Sequence, residues 1–175
     1  MQVMKVKLFI ATTLDGFIAR ENGSVDFLDP FNESGEDYGF NALLQSVSAI
    51  IMGNTTFEEY HSYPQFFEGY KGKDLYIFSR DTTKKHPKVT FIHENPKKFL
   101  SNLQTDKDIW LVGGSKLIES FQNENLIDEY IITIIPVIIG SGIQLWRQPD
   151  HDIHLKLVKT ESFESGVVNL YYTKK

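Results

Sequence analysis

The chain has 175 residues, 41% of them hydrophobic, 13% aromatic and 23% charged, which predicts one globular domain over residues 1–175 and excludes disordered or low-complexity architectures. Eighteen basic against twenty-three acidic side chains leave a net charge of −5, the wrong sign for a phosphate-backbone binder, so no nucleic-acid partner is expected. With no cysteine, disulfides, thiolate metal sites, iron–sulfur clusters and cysteine nucleophiles drop out.

Met1 to Ile10 holds no uninterrupted apolar segment and so predicts no signal peptide. Met4, Val6, Leu8 and Ile10 alternate with Lys5, Lys7 and Phe9, the period of a first strand with one face more buried than the other. Phe40, Leu43, Leu44 and Val47 then fall at helical spacing between Asp37 and Ser48 and predict a helix there. A strand over Ala49–Met52 leads into a weaker helix opened by Thr55, and strands follow at Leu75–Ser79 and Val89–Ile92. Asn95-Pro96 pairs an N-cap with proline at the first helical position, ahead of Phe99, Leu100 and Leu103. The strand Ile109–Val112 runs through Gly113-Gly114 to Ser115, a cap for a helix carrying Leu117, Ile118 and Phe121. The remainder reads as strands Glu129–Ile135, Leu155–Phe163 and Val167–Thr173, the last two joined by a hairpin at Glu164-Ser165-Gly166. Ile131–Ile139, the most apolar stretch, is interrupted by Thr133 and Pro136 and falls far short of the ~20 residues of a membrane span, so a core strand, no membrane partner and a cytoplasmic location are expected. Alternating strands and helices followed by strands alone predict a mixed sheet of about eight strands.

Two turns place small residues between a buried strand and a helix start: Gly53-Asn54-Thr55-Thr56 and Gly113-Gly114-Ser115. Glycine admits a ligand close to the backbone, and the free amides of a helix start favour phosphate, although each turn alone is more often plain connection chemistry. Neither G-x-G-x-x-G nor G-x-x-x-x-G-K-[ST] occurs, so the common dinucleotide and P-loop fingerprints are unsupported. Ser79-Arg80 ends a strand where a guanidinium would suit a 2′-phosphate, while Lys84, Lys85, His86 and Lys88 read better as a solvated loop. Asp15 and Asp37 read first as turn and helix-start residues, and His151 and His154 lack a third ligand, so no metal site is expected. No G-x-S-x-G element supports a serine nucleophile.

In order, Ala11-Thr12-Thr13-Leu14-Asp15-Gly16-Phe17-Ile18-Ala19, Ile51-Met52-Gly53-Asn54-Thr55-Thr56-Phe57-Glu58, Tyr76-Ile77-Phe78-Ser79-Arg80, Trp110-Leu111-Val112-Gly113-Gly114 and Pro136-Val137-Ile138-Ile139-Gly140-Ser141-Gly142 resemble the dihydrofolate reductase-like superfamily. The resemblance is strongest to the branch containing the reductase domain of bacterial riboflavin biosynthesis. It implies a three-layer α/β/α fold on a mixed, mostly parallel sheet of about eight strands, NADPH as hydride donor, and a homodimer, for which the Ile131–Ile139 run is the candidate surface. Residue by residue, it implies that Ala11 and Ile18 flank the nicotinamide, that Gly53, Asn54, Thr55 and Thr56 meet the pyrophosphate, and that Ser79 and Arg80 hold the 2′-phosphate. Val112, Gly113, Gly114, Ser115, Lys116 and Leu117 would form the cofactor wall, around a glycine-pair peptide that is often cis in the family. The hydride acceptor would be a small heterocycle, pterin-like or pyrimidine-like, held by Asp15, Asp37, Phe40, Asn41 and Ile139. Asp37 is the candidate catalytic acid, since its separation from Met52 matches that between the folate enzymes' active-site carboxylate and their Met-Gly motif. The chain departs from the pattern at Asn54, where the family's Gly-x-x-Thr motif usually carries Arg or Lys. A non-catalytic nucleotide- or ligand-binding protein that kept the fold is the rival expectation.

Overall fold

The computed structural model describes residues 4–105 and 107–175. In chain order it contains strands β1 (Val6–Thr13) and β2 (Phe17–Ala19), a 3-10 turn at Asp26–Leu28, helices α1 (Asp29–Asn32) and α2 (Phe40–Ser46), and strand β3 (Val47–Gly53). Helices α3 (Asn54–Tyr60) and α4 (Phe66–Gly69) follow, then strands β4 (Asp74–Phe78) and β5 (Thr90–Ile92), helix α5 (Pro96–Asn102), strand β6 (Asp108–Gly113) and helix α6 (Ser115–Asn123). Strands β7 (Glu129–Ile135), β8 (Ile143–Gln144), β9 (Leu155–Ser162) and β10 (Val168–Lys174) complete the chain. Eight strands form one sheet in the order β5-β4-β3-β6-β1-β7-β10-β9. Pairing is parallel as far as β7 and antiparallel where β10 meets β7 and β9.

The sheet is central because its inner strands are apolar on both sides. Along β3, Ala49 and Ile51 face a core shared with Phe99 of α5 and Ile118 and Phe121 of α6, while Ile50 and Met52 face Leu43 of α2 and Phe57 of α3. Each such fully buried aliphatic side chain contributes about 1.5–3 kcal/mol relative to exposure, so a strand buried twice over holds its place without help from its termini. Helices on both faces give the three-layer α/β/α architecture, and all eight expected sheet strands are present within a few residues of their predicted bounds.

The differences are local. The helix expected over 37–48 is trimmed to α2 because Gly39, at φ 86°, is its N-cap and Val47 already has extended dihedrals. Ser115 is the first residue of α6 rather than its cap, a position taken by Gly114. The predicted cap at Asn95 is present, its Oδ1 accepting from Lys97 N at 2.8 Å and Lys98 N at 3.3 Å. Strands β2 and β8 pair into a small antiparallel ribbon outside the main sheet, with too few residues for any period to reveal them. Of the Ile-rich run, β7 lies between β1 and β10 with Ile132, Thr133 and Ile135 buried, while Ile138 beyond the strand is exposed. The open edge beyond it belongs to β9, where Leu157 and Val158 are exposed.

A candidate cofactor and substrate cleft

Neighbouring strands β3 and β6 send their chains to opposite faces of the sheet, β3 into α3 and β6 into α6. Connections that diverge this way leave a crevice beyond the carboxyl ends of the strands, the place where open α/β sheets bind ligands. Here it is a cleft of about 1490 Å³, above the ordinary 300–1,000 Å³ of a drug-sized ligand pocket.

Its floor is built by the two glycine turns. A Cβ on Gly53 would stand 3.6 Å from Gly113 O and 3.7 Å from Gly114 N, so the turns approach each other backbone to backbone. The Gly113–Gly114 peptide is cis, as the resemblance implied. The two glycines differ in what surrounds them. Gly113 has φ +120° and a Cβ there would sit 3.3 Å from Ile118 Cδ1, whereas a Cβ on Gly114 would meet nothing nearer than Thr56 Oγ1 at 3.9 Å. Gly114 therefore leaves a cradle that a side chain would fill, open to a ligand's backbone-like approach, and the site fits a dinucleotide in that respect. Asn54, at the start of α3, keeps a buried Oδ1 without a hydrogen-bond partner among the described residues.

The structure gathers most of the residues expected at a cofactor. Ala11, Ile18, Gly53, Asn54, Thr55, Thr56, Ser79, Arg80, Val112, Gly114, Ser115, Lys116 and Leu117 all line the cleft, and Gly113 lies beneath it. At its far end Ser79 Oγ accepts from Asp81 N at 3.1 Å and Ser79 O is in hydrogen-bond contact with His93 Nδ1 at 2.9 Å, which fixes the turn that presents Arg80. The Arg80 side chain is exposed and makes no salt bridge among the described residues. The loop lysines go elsewhere, Lys84 to Glu58 and Lys88 over the Phe67 ring at 4.6 Å.

The residues expected at the substrate are mostly absent from the cleft. Phe40 lines it, packed edge-on against Trp110 at 5.4 Å, whose Nε1 donates to Phe9 O at 3.0 Å. Asp37 does not line it: its carboxylate accepts from Gly39 N and Asn41 N, both at 3.0 Å, and these backbone amides hold its pKa below the ordinary carboxylate value. Asp37 thus serves the start of α2, where its carboxylate bonds Asn41 N two residues past the Gly39 N-cap, outside the cleft lining. Asp15 is likewise occupied. It accepts from Thr13 Oγ1 at 2.6 Å, Gly140 N at 2.8 Å and Ile139 N at 3.2 Å, tying the β1–β2 turn to the loop after β7. The Thr13 hydroxyl is the leading cause of its lowered pKa. Ile139 packs with Phe27 and Val167 and joins Asp15 outside the cleft lining.

Other lining residues carried no readable signal. Glu59, Tyr60, Tyr63, Phe66 and Tyr70 form one wall, from a segment whose only mark in the sequence is its density of aromatic side chains, and Arg147 enters beside α6, paired with Glu119 at 2.9 Å.

A layered α/β/α sheet carrying glycine turns at its switch point is the dihydrofolate reductase-like fold. The RibD C-terminal domain family matches residues 4–169. YwjB of Bacillus subtilis, described as uncharacterized, is 38% identical over 173 residues, covering 97% of this chain and 98% of its own. A Shewanella sp. PV-4 protein assigned provisionally to riboflavin biosynthesis superposes at TM-score 0.88 with 28% identity, covering 98% of this chain and 99% of its own. The Thermotoga maritima diaminohydroxyphosphoribosylaminopyrimidine deaminase/5-amino-6-(5-phosphoribosylamino)uracil reductase matches at 0.75 and 18%, with 98% of this chain on 57% of that one. Enterococcus faecalis dihydrofolate reductase, complexed with NADP(H), matches at 0.68 and 14%, covering 98% and 96%. The chain belongs to the RibD C-terminal domain family, whose fold is that of reductases.

Proposed function

We propose that this protein is an NADPH-dependent oxidoreductase that reduces a small heterocycle, pterin-like or pyrimidine-like. The observation that carries the reading is the meeting of the two glycine turns at the β3/β6 switch point, with an unpaired Arg80 at one end of a cleft large enough for a dinucleotide and a second molecule. The NADP(H) bound to the Enterococcus faecalis enzyme and the reductase named in the Thermotoga maritima protein support it.

On this reading the amides at the starts of α3 and α6 would face the pyrophosphate, Ser79 and Arg80 the 2′-phosphate, and Ala11 and Ile18 the nicotinamide. NADPH would supply a hydride from its nicotinamide C4 to the carbon of a C=N or C=O group, a proton from water completing the new N–H or O–H bond and NADP⁺ being released. The chain's own contribution would be to orient the substrate toward the nicotinamide and to keep bulk water from the reacting carbon, with no protein nucleophile. Titration with NADPH and NADH, followed by NADPH oxidation with candidate heterocycles, tests the reading. Tighter binding of NADPH with turnover of at least one heterocycle is expected. Failure to bind either cofactor would refute it in favour of a ligand-binding protein that kept the fold.

A further inference from the structure

The basic groups of the cleft lie on one side of it. Arg80, His93, Lys116 and Arg147 come from segments that follow β4, β5, β6 and β8, where Asp81 and Glu94 also line it. From Gly23 to Tyr70 the lining contributes no Lys, Arg or His. Just beyond that stretch Lys73 is turned away, its Nζ donating to Leu44 O at 2.6 Å and Val47 O at 2.7 Å. One carboxylate stands there instead. Both Glu59 carboxylate oxygens reach within 3.4 Å of where a Cβ on Gly23 would lie, across the mouth of the cleft, and no basic group lies within 4 Å of it among the described residues.

The rest of this compartment is aromatic. Tyr60 and Tyr63 lie 6.1 Å apart between ring centroids, and Tyr70 packs edge-on to Phe66 at 5.1 Å and to Trp110 at 5.8 Å. The hydroxyls of Tyr60, Tyr63 and Tyr70 find no hydrogen-bond partner among the described residues, although all three side chains line the cleft. Burial, with the neighbouring Glu59 charge and Tyr63 as lesser causes, pushes the Tyr60 hydroxyl up to about 12, so it is a neutral donor across the physiological range.

Resting on the reductase reading above, we infer that the substrate of this chain is a planar heterocycle without a phosphate, neutral or cationic, which stacks in the tyrosine-lined compartment and offers amino or ring N–H groups to Glu59. A phosphate placed there would lose its hydration, meet no cation and face a carboxylate, an arrangement that desolvation and like-charge repulsion both disfavour. Aromatic walls with free hydroxyls and one acceptor suit a flat ring system with polar edges. The chain thereby parts from the Thermotoga maritima reductase, whose named substrate is phosphoribosylated.

The test uses the intact protein loaded with NADPH and three probes: 5-amino-6-(5-phosphoribosylamino)uracil, its dephosphorylated ribosylamino counterpart, and 2,4-diamino-6,7-dimethylpteridine, followed by calorimetric titration. The pteridine or the dephosphorylated compound is expected to bind at least about tenfold more tightly than the phosphorylated one. Glu59→Gln should weaken the protonated pteridine several-fold without changing NADPH affinity, and Gln65→Arg should move the preference toward the phosphorylated probe. A phosphorylated probe that binds as tightly as its counterpart, or no binding of any probe by a protein that does bind NADPH, overturns the inference. Failure to bind NADPH in the first place refutes the reductase reading instead, so the two failures are distinguishable.

Discussion

Arg80→Ala separates the phosphate subsite from everything else in the cleft. The side chain is exposed and unpaired, so its removal should leave unfolding within about 0.5 kcal/mol of the parent. A guanidinium that meets a 2′-phosphate with two charge-assisted hydrogen bonds contributes about 1.5–3 kcal/mol, or about 10- to 100-fold in affinity. No neighbour makes up the loss, because Lys84 is held by Glu58 and Lys88 lies over Phe67, while Asp81 stays ionised next to the vacated position, its pKa lowered chiefly by the Thr83 hydroxyl. The expectation is therefore an NADPH affinity that falls by about one to two orders of magnitude and an NADH affinity that changes less than about threefold. Arg80→Lys should fall between, since a point charge replaces a planar fork. Quenching of protein fluorescence by each cofactor at two salt concentrations measures all of this. Equal affinities for NADPH and NADH in the parent, or an equal loss of both in Arg80→Ala, would refute the assignment.

Gly114→Val should abolish cofactor binding and keep a cooperative thermal transition, whereas Gly113→Ala should unfold earlier, by about 1–3 kcal/mol, because φ +120° and the 3.3 Å approach to Ile118 both oppose a side chain there. Asp37→Asn should leave turnover and its pH profile unchanged, while Asp37→Ala removes both acceptors of the α2 cap and lowers stability by about 1 kcal/mol by denaturant titration. Arg20, and then Ser24, lowers the Asp26 pKa to about 2 in the folded chain, so the turn they close is fully supported above about pH 4 and loses that support as the pH falls toward 2. Carboxyl titration by NMR should show the Asp26 midpoint rising toward 3.8 in Arg20→Ala. A homodimer, if its partner strand adds at the open β9 edge, should sediment as a dimer that Val158→Lys dissociates, and a concentration-independent monomer would remove the proposal.

Those tests lean unequally on what the amino-acid order made legible. The eight sheet strands were readable because apolar period and turn residues are local signals, and the glycine turns because a strand, a small residue and a helix start lie consecutively in the chain. Strands β2 and β8, of three and two residues, have no period to read. The spacing of Asp37 from Met52 says less, for a different reason. Separation along the chain measures contour length, not direction, and Gly39 at φ 86° turns the segment so that the Asp37 carboxylate bonds Asn41 N in the first turn of α2. The tyrosine wall was invisible as a site because aromatic residues three or four positions apart are read as ordinary core until the sheet shows which side of them is open.

The position of β1 has a consequence for how the chain comes to be folded. Val6 registers with Ile109 and Lys7 with Glu129, so the strand at the middle of the sheet pairs only with segments more than a hundred residues downstream. Closing such distant contacts is slow, and synthesis at about 5–20 residues per second leaves β1 without either partner for many seconds. Its apolar side chains, Val6 and Leu8 among them, must wait unburied through that interval. A nascent chain halted before β6 is complete should therefore be readily cleaved within β1, and protection should appear only once both flanking strands have left the ribosome, when the cleft acquires its floor in the same step.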